Sequence, residues 1–154
     1  MNAEVATWIL NSEKITSRFG LWPSFHDAEV IELSLWRGHI DPEKREYTFP
    51  ILNLKLHHWL LTNKVDAKGY FVLEKHTIST IRFCGIEECR IEGLDHQNAI
   101  FSLGIEKKKK SDSESAYYLV TLEPAFGIDA QFTCNAIDVV ESVPADKDGA
   151  ELKT

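Results

Sequence analysis

The stretch Asp-Ala-Glu-Val-Ile-Glu-Leu-Ser-Leu-Trp, residues 27–36, decides the fold because apolar and polar side chains alternate along it. A period of two residues predicts a half-buried β-strand, with Ile31, Leu33 and Leu35 on its apolar face. A second alternating run follows the turn-forming segment GHIDPEKRE, residues 38–46, and its apolar positions are Leu52, Leu54, Leu56 and Leu60. Two such runs joined by a short turn segment predict an antiparallel hairpin.

The residues on either side of this hairpin predict a short helical start and a series of further strands. Val5, Trp8 and Ile9 fall on one helical face, and Gly20 is placed to end the helix. Further strands are predicted within residues 70–83, 89–94, 101–105, 116–124 and 132–143, with a bulge or turn near Gly85. The expected fold class is α+β, a mainly antiparallel sheet of about six to seven strands with a short N-terminal helical segment.

Length and composition favour one globular domain in a reducing compartment. The chain has 154 residues, which is the size of one ordinary domain. We expect residues 1–144 to form a single domain and the polar residues 145–154 to be a disordered tail. Three cysteines are too few for a disulfide framework, and the N-terminus lacks a basic region followed by an apolar run. These features predict a cytoplasmic protein.

The charge argues against two classes of partner. The formal net charge is −7 and the isoelectric point is about 5.3. Nucleic acids and anionic membranes both bind through lysine and arginine, so an acidic surface disfavours both of them. An acidic chain is instead suited to a basic protein partner.

Metal-binding and catalytic signatures are missing from the sequence. Cys84 and Cys89 are too far apart for a usual zinc pair, and no histidine stands at ligand spacing. His57 and His58 are adjacent, so on a strand they point to opposite faces, and His58 is expected to be a hydrogen-bonded core histidine. The sequence contains no nucleophile elbow, phosphate-binding loop or dinucleotide fingerprint. We therefore expect no metal, no cofactor and no enzyme activity.

The segment WPSFHDAEV, residues 22–30, concentrates aromatic, histidine and acidic side chains. One interpretation is a helix-to-strand corner, in which Ser24 caps a turn, Phe25 anchors it and His26 fixes it by a hydrogen bond after Pro23. The other is an exposed patch in which Asp27 and Glu29 are flanked by Trp22, a composition typical of protein interfaces. Both interpretations stay open at this point.

The order FGLWPSFHDAEV, then STIRFCGIEECRIEGLDHQNAI, then YYLVTLEPAFGIDAQFTCNAIDVVESVP resembles the immunity protein 50 family of bacterial polymorphic toxin systems. The resemblance runs from about residue 19 to residue 144, and the family's defining residues correspond to Phe25, His26 and Asp27. It implies a non-catalytic cytoplasmic protein that binds and neutralises a cognate toxin by steric and electrostatic occlusion.

Many toxins of these systems carry basic clefts, so exposed acids and aromatics are the candidate contacts. They are Trp22, Asp27, Glu29, Glu87, Glu88 and Asp95. Two alternatives to an immunity protein remain: a small β-rich ligand-binding or structural module, and a hydrolase that uses His26 and Asp27. The oligomeric state is left open.

Overall fold

The computed structural model describes residues 2–111 and 115–152 and shows mainly antiparallel strands after a short helical start. The helices are α1 (Asn2–Trp8) and α2 (Glu13–Phe19). The strands are β1 (Glu29–Trp36), β2 (Ile40–Asp41), β3 (Glu46–Tyr47), β4 (Ile51–Val65), β5 (Phe71–Cys84), β6 (Glu87–Glu92), β7 (Ile100–Lys109), β8 (Ala116–Pro124), β9 (Asp129–Cys134) and β10 (Ala136–Pro144). The predicted fold class is confirmed. No helix among the described residues has the length and apolar character needed to cross a membrane.

Two four-stranded sheets share one hydrophobic core. The first sheet has the order β1-β4-β5-β10, the second has the order β6-β9-β8-β7, and all neighbouring strands are antiparallel. The predicted hairpin of β1 and β4 is confirmed by the pairing of Leu33 with Leu54. Phe83 of the first sheet meets Phe132 of the second edge to face, with ring centroids 5.1 Å apart. The buried inner faces of the two sheets therefore form a single core.

The number of strands is larger than predicted for two reasons. The segment between β1 and β4 contains the two-residue pair β2 and β3, which was expected to be only a turn. The run 132–143 was predicted as one strand but is divided at Asn135 into β9 and β10, which belong to different sheets. The chain also passes from the first sheet to the second at Gly85, and Asn135 donates its backbone N–H to the Cys84 carbonyl at 2.8 Å. The two crossings thus lie side by side.

Bulges change which residues of the first sheet are buried. The register of β1 against β4 shifts between Val30 and Glu32, so Ile31 is an extra residue. Val30 is consequently buried, whereas Ile31 is 44% exposed. The prediction that Ile31 lies on the apolar face is therefore wrong, because that prediction assumed a regular strand. A second register shift, between His58 and Leu60, places Trp59 of β4 opposite two residues of β5, Lys75 and His76, so the extra residue here lies on β5.

The C-terminal segment, for which a polar and disordered tail was predicted, forms a turn over its described residues 145–152. Ala145 is buried, and the carboxylate of Asp146 accepts backbone N–H bonds from Asp148 and Ala150. Leu152 donates its backbone N–H to the Pro144 carbonyl at 3.0 Å, which closes the turn. Residues 153 and 154 lie outside the described part of the chain.

Candidate functional site

The segment between α2 and β1 is a tight corner with an unusual backbone. Helix α2 ends at Gly20, whose φ of 82° is left-handed and whose N–H donates to the Thr16 carbonyl. Two further residues are left-handed without being glycine, Phe25 with φ 61° and Asp27 with φ 65°. This conformation is tolerated by Asp but is rare for a bulky aromatic residue. Such backbone strain persists only where surrounding contacts enforce it.

Backbone hydrogen bonds to the start of β7 enforce the corner. Asp27 donates its N–H to the Ile100 carbonyl at 2.9 Å, and Ile100 donates back to the Ala28 carbonyl at 3.0 Å. Leu103 donates its N–H to the Ser24 carbonyl at 3.2 Å. Because these bonds use main-chain atoms, the path of the corner is fixed largely independently of the side chains at Ser24 and Asp27.

The aromatic side chains of the corner point into the core. Trp22 and Phe25 are each only 2% exposed, and their rings meet edge to face with centroids 5.4 Å apart. Trp22 was expected to be an exposed contact residue, and its burial corrects that expectation. The physical reason is that Pro23 and the left-handed Phe25 turn the chain so that both rings lie beneath it. Phe25 and Trp22 thus hold the corner in place.

His26 and Asp27 lie on the outside of the same corner. Nδ1 of His26 is 2.9 Å from the Phe101 carbonyl oxygen, and a carbonyl can only accept, so Nδ1 carries a hydrogen. In the neutral ring Nε2 is then an acceptor, and it lies 3.5 Å from Oδ2 of Asp27. The two side chains are 49% and 60% exposed. They present two neighbouring acceptor atoms to the solvent, or an ion pair when the ring is protonated.

An apolar groove of about 380 Å³ opens beside this pair. Its walls come from the end of α2, the corner, and the adjoining parts of β4 and β5. The lining residues are Phe19, Leu21, Pro23, Ser24, Phe25, His26, Asp27, His58, Trp59, Leu60, Leu61 and Leu73. None of them is a lysine or an arginine, so Asp27 supplies the only formal charge of the lining when its histidines are neutral. Leu21 and Leu61 are more than half exposed, which makes the mouth of the groove apolar.

His58 forms the inner wall of the groove and is a core histidine, as predicted. It is 2% exposed, its Nε2 lies 2.7 Å from the Ser79 hydroxyl oxygen, and its ring packs 4.9 Å from the rings of both Phe19 and Phe25. Burial, followed by the charges of His57 and Arg18, lowers the pKa of His58 to about 3. The imidazole is therefore neutral at physiological pH. Its Nδ1 has no hydrogen-bond partner among the described residues.

The other predicted contact residues lie at two separate places. Glu29 is half-buried, and its Oε1 accepts the backbone N–H of Asn98 at 2.9 Å, so it supports the structure next to the corner. Asp95 is nearby, since its backbone N–H and carbonyl both bond to the Asn98 side chain. Hydrogen bonds from the backbone N–H and then the ring of His96 lower the pKa of Asp95. Its carboxylate is therefore charged and exposed.

Glu87 and Glu88 form the second acidic place, at the start of β6. Both are exposed, as expected of residues that follow the Gly85 crossing, and Glu88 is left-handed with φ 50°. Glu87 pairs with Thr133 near the end of β9, whereas Asn98 bonds to Ile128, which precedes β9. The two acidic places therefore flank opposite ends of that strand and do not form one patch.

Among the described contacts, the ring of His26 has no hydrogen bond to a hydroxyl group. Ser24 is the nearest hydroxyl to His26 in sequence, but its Oγ accepts the backbone N–H of His26, at 3.3 Å, rather than contacting the ring. A nucleophile and its base are normally hydrogen-bonded to each other. Over residues 2–111 and 115–152, no group of three or more histidine, cysteine or acidic side chains is placed to hold a metal ion.

Sequence reasoning missed the groove, although it identified the corner that forms one wall. Leu61 and Leu73 come from the far half of the β4–β5 hairpin, where the regular alternation of apolar residues has already ended. The available signal was a cluster of large apolar residues on both strands beyond the register shift between His58 and Leu60. These residues, all exposed in the structure, are Leu61, Val65, Phe71 and Leu73.

Residues 11–145 match the family described as Immunity protein 50. The match includes the corner, the groove and both acidic places. No curated protein and no solved structure shows a significant match to the chain.

Proposed function

The chain belongs to the Immunity protein 50 family, and from this membership we propose that it binds a cognate toxin domain and neutralises it by steric and electrostatic occlusion. The match over nearly the whole chain is the observation that carries the proposal. The protein acts stoichiometrically, without chemistry or cofactor of its own. It is kept in the cytoplasm of the producing cell, where it protects that cell from its own toxin.

The charge distribution supports an electrostatic contribution. The net charge of −7 attracts a basic toxin surface from a distance and raises the rate of encounter. The exposed carboxylates of Asp27, Asp95, Glu87 and Glu88 are available to a partner, whereas Glu29 is partly engaged by Asn98. The protein contacts toxin rather than nucleic acid or membrane, since both of those partners are anionic.

A small-molecule binding module is the second candidate because the groove falls within the usual size range of ligand sites. A hydrolase using His26 and Asp27 has less support. The two ring nitrogens of His26 face the Phe101 carbonyl and Asp27, and neither of these groups is a hydroxyl or thiol nucleophile.

We expect the gene of the cognate toxin to lie beside the gene of this chain, and co-expression with that toxin domain tests the proposal. We expect wild-type protein to abolish toxicity and to co-purify with the toxin at a fixed ratio. Replacing Glu87 and Glu88 by Gln should slow association at low salt and have a smaller effect at high salt, because exposed charges are screened. A toxin that remains lethal, and that shows no complex with the wild-type protein, would overturn the proposal.

A further inference from the structure

We infer that the groove beside the corner is the site where the toxin inserts an apolar side chain, with an adjacent arginine of the toxin bound by His26 and Asp27. This inference rests on the proposed function and specifies which surface carries it. It concerns one occupant, a protein segment that is apolar at its centre and cationic at its edge.

The walls of the groove favour an apolar anchor. Leu21 and Leu61 are 55% and 60% exposed, and Leu73 adds a third apolar side chain to the same opening. Contiguous exposed apolar surface on a soluble protein marks interaction sites. Binding energy at protein interfaces concentrates where a large side chain fills such a pocket and excludes water. The deep wall is also apolar, because the rings of Phe19 and Phe25 flank a neutral His58.

The rim of the groove favours an arginine beside that anchor. Nε2 of His26 and Oδ2 of Asp27 are 3.5 Å apart, and in the neutral form of the ring both atoms accept hydrogen bonds. Two adjacent acceptors, one of them charged, suit a planar guanidinium, which presents several N–H donors in a fixed arrangement. A single ammonium would satisfy this geometry less well.

Charge complementarity predicts that the group of the partner at this rim is positively charged. The residues that line the groove include Asp27 and no lysine or arginine, so a cation of the partner is attracted by Asp27 and is not repelled by a lysine or arginine of the lining. A carboxylate of the partner at the same position would be repelled. The whole chain carries the same sign, with a net charge of −7.

The corner is also held in place before any partner arrives. Asp27 is fixed by its backbone bond to Ile100, and the His26 ring is fixed by its bond to the Phe101 carbonyl, both at 2.9 Å. Rigid binding groups lose little conformational freedom on association, which favours affinity.

Titration of the cognate toxin domain with matched variants tests the inference. Asp27→Asn removes the charge while keeping a residue type that tolerates a left-handed backbone, and we expect it to weaken binding about 10- to 100-fold. Leu61→Ser should weaken binding by about tenfold through the groove wall. Glu43→Gln is the control, because it removes an exposed carboxylate in the turn between β2 and β3, outside both the groove lining and the candidate contacts, and its dissociation constant should stay within about twofold of wild type.

The toxin's arginine is identified by a double-mutant cycle. Each surface arginine of the toxin is replaced by alanine and measured against wild type and Asp27→Asn. We expect one arginine whose loss costs affinity with the wild-type protein and costs little with the variant. Equal losses against both proteins, for every arginine, would contradict the inference.

The outcomes separate the inference from the proposed function. If Asp27→Asn and Leu61→Ser bind and protect as well as wild type, the groove is not the contact, although the protein remains a toxin inhibitor. If wild-type protein binds no toxin, both ideas fail. If native mass spectrometry finds a small molecule retained by wild type and lost from Leu61→Ser while toxin binding is unchanged, the groove is a ligand pocket and the inference is wrong.

Discussion

Acidification is expected to destabilise this protein through His58. In the unfolded chain this histidine titrates near its ordinary pKa of 6.5, whereas burial in the folded protein lowers the pKa to about 3. Between these two values the unfolded state binds a proton that the folded state does not. The stability that depends on a neutral His58 is therefore complete above the unfolded pKa and is lost progressively as the pH falls toward the folded pKa.

The size of the effect follows from the two pKa values. Each unit of pH below the unfolded pKa of 6.5 removes about 1.4 kcal/mol of unfolding free energy, until the folded pKa is reached. At about pH 4.5 the loss due to His58 is on the order of 3 kcal/mol. That is a large part of the free energy that holds a typical domain folded. Solvent does not screen this effect appreciably, because the His58 side chain is almost completely buried.

The variant His58→Gln isolates this contribution. Its amide replaces the ring nitrogen opposite the Ser79 hydroxyl but does not titrate. Urea unfolding of both proteins, at about pH 7 and about pH 4.5, gives the acid-induced loss of each one. We expect the wild-type loss to exceed the variant loss by about 3 kcal/mol. His57, whose pKa is lowered by burial and then by His76, contributes to both proteins and cancels. Equal losses in the two proteins would refute the reasoning.

Three further predictions concern the structure around the site. Asn98→Ala removes three side-chain hydrogen bonds at a buried position and should lower the free energy of unfolding in urea by about 3 kcal/mol. The control Asn63→Ala, at an exposed position, should change it by less than about 0.5 kcal/mol, and equal effects of the two variants would contradict the prediction. Gly127→Ala should lower the melting temperature by several degrees, because φ is 78° and a Cβ at this position would clash with the backbone carbonyl oxygen of Gln97. An unchanged melting temperature would count against that contact. Burial raises the pKa of the Cys134 thiol to about 12. A thiol reagent should therefore modify the exposed Cys89 in the folded protein and Cys134 only after denaturation, as measured by mass spectrometry. Labelling of Cys134 in the folded protein would contradict its burial.

The parts of the fold that could be predicted from the sequence are those fixed by neighbouring residues. The pairing of β1 with β4 follows from two alternating runs with a turn between them. The end of α2 follows from Gly20, whose left-handed backbone is available to glycine at little cost. His58 was also placed correctly, because it shares a strand face with buried leucines such as Leu54 and Leu56.

The parts that could not be predicted depend on residues far apart in the chain. The bulge at Ile31 does not change the alternation of apolar and polar residues in the sequence. The sequence alone therefore assigned Ile31 to the wrong face of the strand. Trp22 was wrongly expected at the surface. Whether an aromatic residue at a corner is buried depends on which strands pack behind it, and the sequence does not show that packing. The groove needs Phe19, Leu61 and Leu73 to come together, and no local pattern joins positions so distant.

The left-handed backbone at Asp27 has a consequence for how this surface changes over evolution. Among residues other than glycine, aspartate and asparagine are enriched in that conformation, so the main chain favours these two residues at the position. A single codon change between those two residues switches the charge of the rim on or off while the chain keeps its course. Under the proposed contact, recognition of the toxin at this point can be revised without refolding the protein.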